Sequence, residues 1–164
     1  MKVVDAGRDR RSTIKGELER MFLGQFEHTI DDKGRLTIPS RYRELIAGGA
    51  YVTLGFDQNL MVLTAASFED VSGSIRGTSV TDEDARSLKR WIFSNATWVE
   101  VDKSGRILIP QWLRSKCQLD SNAIIVGAGD FFEIWNPESW TRNQENLQDP
   151  KTTAQRFTAF NIPL

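Results

Sequence analysis

The stretch DDKGRLTIPSRYR (31–43) returns 71 positions later as DKSGRILIPQWLR (102–114), with Asp, Gly, Arg, Ile, Pro and a final Arg at the same offsets. A repeat at a fixed period constrains the fold more than any total does. Each copy must be one supersecondary unit, and such units bury their apolar faces most simply against one another. The likeness extends further: YVTLGFDQNLMVL (51–63) matches AIIVGAGDFFEIW (123–135) at an offset of 72, and Ser67-Phe68 matches Ser139-Trp140. The chain therefore reads as two equivalent modules, 21–73 and 93–145, separated by a linker helix region at 74–92.

Within a module the periodicity is mainly that of strands. GQFEHTI and ATWVEV alternate apolar and polar residues, RLTIP and RILIP are β-formers halted by proline, and YVTLGF/NLMVL and AIIVGA/FFEIW read as hairpins. SRYRELIAGG and QWLRSKCQL suit short helices, with Pro39 and Pro110 in their first turns, where no backbone donor is needed. AASFEDVSGSI and NPESWTRNQENL close the modules as amphipathic helices. TDEDARSLKRWIFSNA (81–96), which opens on an N-cap and early acids, is the linker helix. Residues 1–20 show neither period and read as an extra, unstructured segment; residues 146–164 read as a loosely held tail.

Composition excludes several classes. No run approaches the about 18 apolar residues that span a membrane, and the charged N-terminus has no signal-peptide core, so a cytoplasmic protein is expected. Cys117 is the only cysteine and His28 the only histidine, leaving no disulfide and almost nothing to build a metal centre from. No nucleophile elbow or triad order appears. VGAGD (126–130) looks like part of a phosphate loop, but the strand-like FFEIW follows it, so it reads as a hairpin turn. The carboxylate clusters at 69–70 and 82–84 read as caps and solvating charge. Trp91, Trp98, Trp112, Trp135 and Trp140 read as core or subunit contacts.

Charge distribution is more telling than the net −1. The windows 33–43 and 103–116 hold eight of the 21 basic residues and no acid, so the rest of the chain is strongly acidic. In each repeat Asp31 or Asp102 can bond its own turn, and Gly34 or Gly105 supplies the positive φ of a tight reversal. The arginines directly after the glycines, Arg35 and Arg106, are open to two readings. Either each pairs with the Asp four residues back, worth under about 1 kcal/mol if exposed, or the loop offers Lys33 and Lys103 to phosphates and Arg35 and Arg106 to guanine edges. A solvated basic face and an acidic protein partner remain alternatives to nucleic acid.

MFLGQFEHTIDDKGRLTIPSRYR (21–43), taken with DKSGRILIP (102–110), resembles the bacterial MraZ family of the AbrB/SpoVT superfamily, marked by two tandem D-x-x-x-R motifs. The likeness covers residues 21–147. It implies an α+β fold of two tandem swapped-hairpin β modules with short helices, forming a pseudo-dimeric small barrel. It implies a non-enzymatic, nucleoid-associated transcriptional regulator or repressor of the division and cell-wall gene cluster. Such a protein forms a homo-oligomeric ring on G-rich direct repeats of double-stranded DNA at its own promoter, with no cofactor, small-molecule substrate or membrane partner. The DNA-facing residues implied are Lys33, Arg35, Arg41, Arg43, Lys103, Arg106 and Arg114, with Asp31, Gly34, Asp102 and Gly105 shaping the turns. An antitoxin-type interaction module of the same fold is the alternative. Two features depart from the pattern. Residues 1–20 are extra, read as an upstream start codon in preference to a basic arm at RDRR. Ser104 and Lys103 stand where the first loop has Lys33 and Asp32.

Overall fold

The computed structural model describes residues 6–163. After helix α1 (Ala6–Glu19), one element order is written twice. The first copy comprises β1 (Gln25–Thr29), β2 (Arg35–Thr37), α2 (Ser40–Leu45), β3 (Ala50–Leu54), β4 (Leu60–Thr64) and α3 (Ala65–Arg76). Helix α4 (Glu83–Ser94) leads into the second: β5 (Thr97–Val99), β6 (Arg106–Leu108), α5 (Gln111–Lys116), β7 (Asn122–Gly127), β8 (Phe131–Trp135) and α6 (Pro137–Glu145). Helix α7 (Pro150–Phe157) and a 3-10 turn (Thr158–Phe160) follow.

The strands do not stay within their own copies. The main sheet runs β1-β7-β8-β4-β3-β5, every neighbour antiparallel. The first strand of each copy thus pairs with the third strand of the other, β1 with β7 and β5 with β3, and β4 pairs with β8 across the middle. A separate ribbon, β2–β6, joins the two motif strands. Exchanging the two copies leaves this pairing scheme unchanged, so the connectivity has a pseudo-two-fold. The sheet is open, with β1 and β5 at its edges, and the small closed barrel that the resemblance implies is corrected accordingly.

One core serves both copies. Leu36, Ile38, Ile107 and Ile109 are fully buried from the ribbon and its exits; Val52, Leu60, Val62, Ile125, Phe132 and Ile134 are buried from the sheet. Each such side chain contributes about 1.5–3 kcal/mol relative to exposure. At one end Tyr42 of α2 lies edge-on to Phe22 and Phe26, with centroids 5.0 and 5.4 Å away, and meets Phe132 at 5.1 Å. Its hydroxyl donates to the Leu23 carbonyl at 2.8 Å. Cys117 is buried too, and burial pushes its thiol up to about 11, which makes it a packing residue rather than a nucleophile.

Several expectations need correction. The segment expected to be unstructured over 1–20 forms α1 from Ala6 onward; residues 1–5 lie outside the described residues, as do the side chains of RDRR through Arg10. Its visible apolar residues, Ile14 and Leu18, make one half-exposed i,i+4 pair, too sparse a pattern to announce a helix, while Lys15 and Glu19 pair at 3.9 Å on the surface. The tail also carries a helix, α7, capped by Asp149, whose Oδ1 accepts from Lys151 N at 3.2 Å and whose other oxygen accepts from the Thr152 hydroxyl. Pro39 and Pro110 are N-caps, not first-turn residues: with ψ of 137° and 143° they are still extended. Of the five tryptophans, read as core or subunit contacts, Trp135 is a core residue, whereas Trp91, Trp98 and Trp112 are 42–44% exposed and outside the core. VGAGD is a hairpin turn as expected. Its amides are already used, Gly127 N donating to Gly24 O and Gly129 N to Phe22 O, so it offers phosphate no cradle.

Candidate nucleic-acid interface

The two motif loops fold identically because the same short-range chemistry acts in both. Asp31 Oδ1 accepts from Lys33 N (3.0 Å) and Arg35 N (2.8 Å); Asp102 Oδ1 accepts from Ser104 N (2.9 Å) and Arg106 N (3.0 Å). The turn closes with Gly34 N donating to Asp31 O and Gly105 N to Asp102 O, both at 3.0 Å. Gly34 and Gly105 hold φ of +86° and +77°, where a side chain is strained. The remaining Asp oxygens clip the arginines: Arg35 Nε lies 2.6 Å from Asp31 Oδ2, and Arg106 Nε 3.1 Å from Asp102 Oδ2. The intraloop ion pair, one of the two readings left open by the residues, is thus present in both copies.

The clips are not equal. Arg106 also brings Nη2 to 3.0 Å from Asp102 Oδ2 and Nη1 to 3.5 Å from Asp31 Oδ2, so it bridges both loops. Arg35 meets its carboxylate through Nε. Asp31 therefore faces two guanidinium groups and Asp102 one, an asymmetry beyond the Lys33/Ser104 difference visible in the sequence.

Arg43 and Arg114, the repeat's final arginines, are anchored within their own copies and lie against the opposite one. Arg43 Nε donates to Ile38 O at 2.7 Å and Arg114 Nε to Ile109 O at 3.0 Å. Their guanidinium groups lie against the other loop's glycine: a Cβ on Gly105 would come within 2.5 Å of Arg43, and one on Gly34 within 2.7 Å of Arg114. The same junction is sealed by Ile38 N donating to Gly105 O and Ile109 N to Gly34 O, both at 2.9 Å. Each loop is therefore held by the other copy. The reason these glycines lack side chains is double, a positive φ and a guanidinium in contact, and only the first half is visible in the sequence. Arg43 also helps burial keep the half-buried His28 imidazole below its ordinary value.

The outcome is a cationic cluster at the two loops. Lys33 and Lys103 are exposed there and Arg35, Arg43, Arg106 and Arg114 half-buried, while Arg41 is exposed on the neighbouring α2. Asp31, Asp32, Glu44 and Asp102 are the carboxylates on these loops and helices, and two of those are used within the clips. Ribbon register places Arg35 opposite Leu108 and Thr37 opposite Arg106, so these four share the outward face while Leu36 and Ile107 point into the core. Thr37 and Leu108 carry no such signal in the sequence, because the register that puts them beside the arginines is non-local. Among the described residues no group of three or more His, Cys, Asp or Glu could hold a metal ion, and no helix is long and apolar enough to cross a membrane.

Hydrogen bonds from the turn amides and the clipping arginine hold both motif carboxyls below the ordinary carboxylate value of 3.8. A depressed native value means that the clips are fully formed above pH 3.8 and are lost as pH falls through the lowered value. In a ¹⁵Nε–Hε titration the Arg35 and Arg106 cross-peaks should keep their clipped positions down to pH 3.8 and shift only below it. Peaks already moving at pH 5 would rule the clips out.

Comparison with known proteins agrees with the repeat. Residues 21–91 and 92–161 each match the family model described as "MraZ protein, putative antitoxin-like". The chain is similar to a protein of Thermomicrobium roseum called "Transcriptional regulator MraZ", 44% identical over 141 residues that cover 85% of this chain and 99% of the relative. Relatives of the same name occur in Herpetosiphon aurantiacus, 37% identical over 143 residues (87% of this chain, 100% of the relative), and in Desulforamulus reducens, 43% identical over 122 residues (74% and 86%).

Proposed function

Since the chain belongs to the MraZ family, we propose that it is a transcriptional regulator that binds double-stranded DNA through the β2–β6 patch. The observation that carries this reading is the convergence of two clipped Asp–Arg turns on one ribbon in an otherwise acidic chain. A two-stranded ribbon fits the major groove, which is about 12 Å wide. Lys33, Lys103 and Arg41 neutralise phosphates; Arg35 and Arg106, oriented by their carboxylates, address base edges; Arg43 and Arg114 hold the loops in place and add positive potential. A clip suits such a role because a guanidinium already ordered loses less freedom on binding.

The finer reading follows the family resemblance. The modules are of the swapped-hairpin type. The operator is a set of short G-rich direct repeats at the promoter of the protein's own operon, in the division and cell-wall cluster, and the protein acts in the cytoplasm on the nucleoid. One patch makes few contacts, so useful affinity at physiological salt calls for several linked patches, which a head-to-tail ring of identical chains supplies. The exposed Trp91, Trp98 and Trp112 are suited to subunit contacts.

A gel shift with the DNA upstream of the protein's own reading frame, run across a salt series against unrelated competitor DNA, tests the proposal. Retardation resistant to competitor and weakening steeply with salt is expected. No retardation at low salt, or equal competition, would reject it. A version starting at Met21 isolates α1. A second reading, an antitoxin-type module, is favoured by the outward Phe157, Phe160 and Ile162 (44–68% exposed) at the C-terminal end. Removing residues 150–164 should leave the gel shift intact under the first reading and abolish capture of a protein partner under the second.

A further inference from the structure

The outward face of the ribbon carries arginines at equivalent positions, but they differ in their clips and in what stands beside them. Arg35 and Arg106 are equivalent under the pseudo-two-fold, whereas Thr37 and Leu108 occupy equivalent positions with opposite chemistry. Strand alternation with the buried Ile107 and Ile109 turns position 108 outward, but nothing in the core requires an apolar residue there; Leu108, 55% exposed, stands between Arg35 across the ribbon and a groove lined by Trp98, Glu100 and Pro110. Two arginines at equivalent positions differ in how they are clipped but offer a base edge the same donor group. An aliphatic side chain on one side and a hydroxyl on the other give the ribbon a direction.

From this asymmetry, and resting on the DNA-binding reading above, we infer that Leu108 and Thr37 are further specificity-determining residues of the ribbon beside the two arginines: Leu108 packs on a thymine methyl beside the base addressed by Arg35, and Thr37 hydrogen-bonds a base edge on the Arg106 side. In the major groove the thymine C5-methyl is the one apolar mark a base pair carries, and an aliphatic side chain is the group that detects it. A hydroxyl can donate or accept and so tolerates more than one base. The pair fixes the orientation of each chain on its site.

The test uses the full chain and duplexes of the DNA upstream of its reading frame, with each thymine in turn replaced by deoxyuridine, which lacks only the methyl. The parent should lose about fourfold in affinity at one thymine per repeat, the factor expected for one buried methyl. Leu108→Ala should bind the thymine and uracil duplexes equally, with the parent's salt slope, because no phosphate contact is touched. Thr37→Val, nearly isosteric, should lose about fivefold on specific DNA and nothing on unrelated DNA. If Leu108→Ala keeps the parent's uracil profile, the inference fails while the DNA-binding reading stands. If the parent retards no DNA, both fail. Leu108 also lines an open groove with Trp98 and Pro110. A change in sedimenting mass for Leu108→Ala with an unchanged uracil profile would assign the residue to subunit contact and overturn the inference.

Discussion

Arg35→Ala is expected to weaken discrimination between promoter and unrelated DNA sharply, at a cost of about 1–3 kcal/mol for each base edge that the guanidinium no longer reads. In the ring proposed above the loop is presented many times, so there the loss would multiply in the avidity of the whole and exceed that factor in a gel shift. The fold should hardly notice. The ion pair with Asp31 is partly solvent-exposed and worth under about 1 kcal/mol, and Asp31 still caps the amides of Lys33 and residue 35. Lys33→Ala is the informative contrast: a lysine without a clip should weaken specific and non-specific binding alike and flatten the salt slope by about one phosphate. Promoter affinities equal to the parent's in both variants would remove the loops from the interface.

The largest stability effect is expected at Tyr42. It is fully buried and is the hub of the aromatic cluster, touching Phe22, Phe26 and Phe132. Truncation to alanine should cost about 3–5 kcal/mol, the range for emptying an aromatic site in a packed core. Tyr42→Phe keeps the ring and removes only the bond to the Leu23 carbonyl, so about 1 kcal/mol is expected. Urea unfolding followed by tryptophan fluorescence reads both. A Tyr42→Ala midpoint matching the parent's would mean that the cluster contributes nothing. The residue also sits between Arg41 and Arg43 on α2, and Arg43 braces the opposite loop at Gly105. Tyr42→Ala should therefore weaken DNA binding even at temperatures where the variant remains folded.

Much of the candidate site is legible in the residues alone, and the reason is that turn chemistry is local. An Asp at the first position of the motif, a Gly at the fourth and an Arg at the fifth specify a capped reversal whatever surrounds them, and both loops form it with the same hydrogen bonds. The hairpins β3–β4 and β7–β8 are legible for the same reason. What escapes is non-local or sparse. Alternation along GQFEHTI tells which side of a strand faces the core, but not that its partner is β7, more than ninety residues on. Helices α1 and α7 go unseen because Ile14, Leu18 and Phe157 remain exposed, and a pattern that buries nothing carries little periodic signal.

The sequence by itself determined that there are two copies, that each begins with a charged, glycine-dependent turn, and that the positive charge is gathered there, since these depend on residue types at short, fixed spacings. Only the tertiary structure decided that the copies exchange first strands and that Arg43 and Arg114 brace the opposite loops. It also decided that Arg106 spans two carboxylates while Arg35 meets one, and that Thr37 and Leu108 join the arginines on one face. Those outcomes depend on which strand lies beside which, and that choice is made by burying a single core shared between the copies, a condition no window of sequence contains.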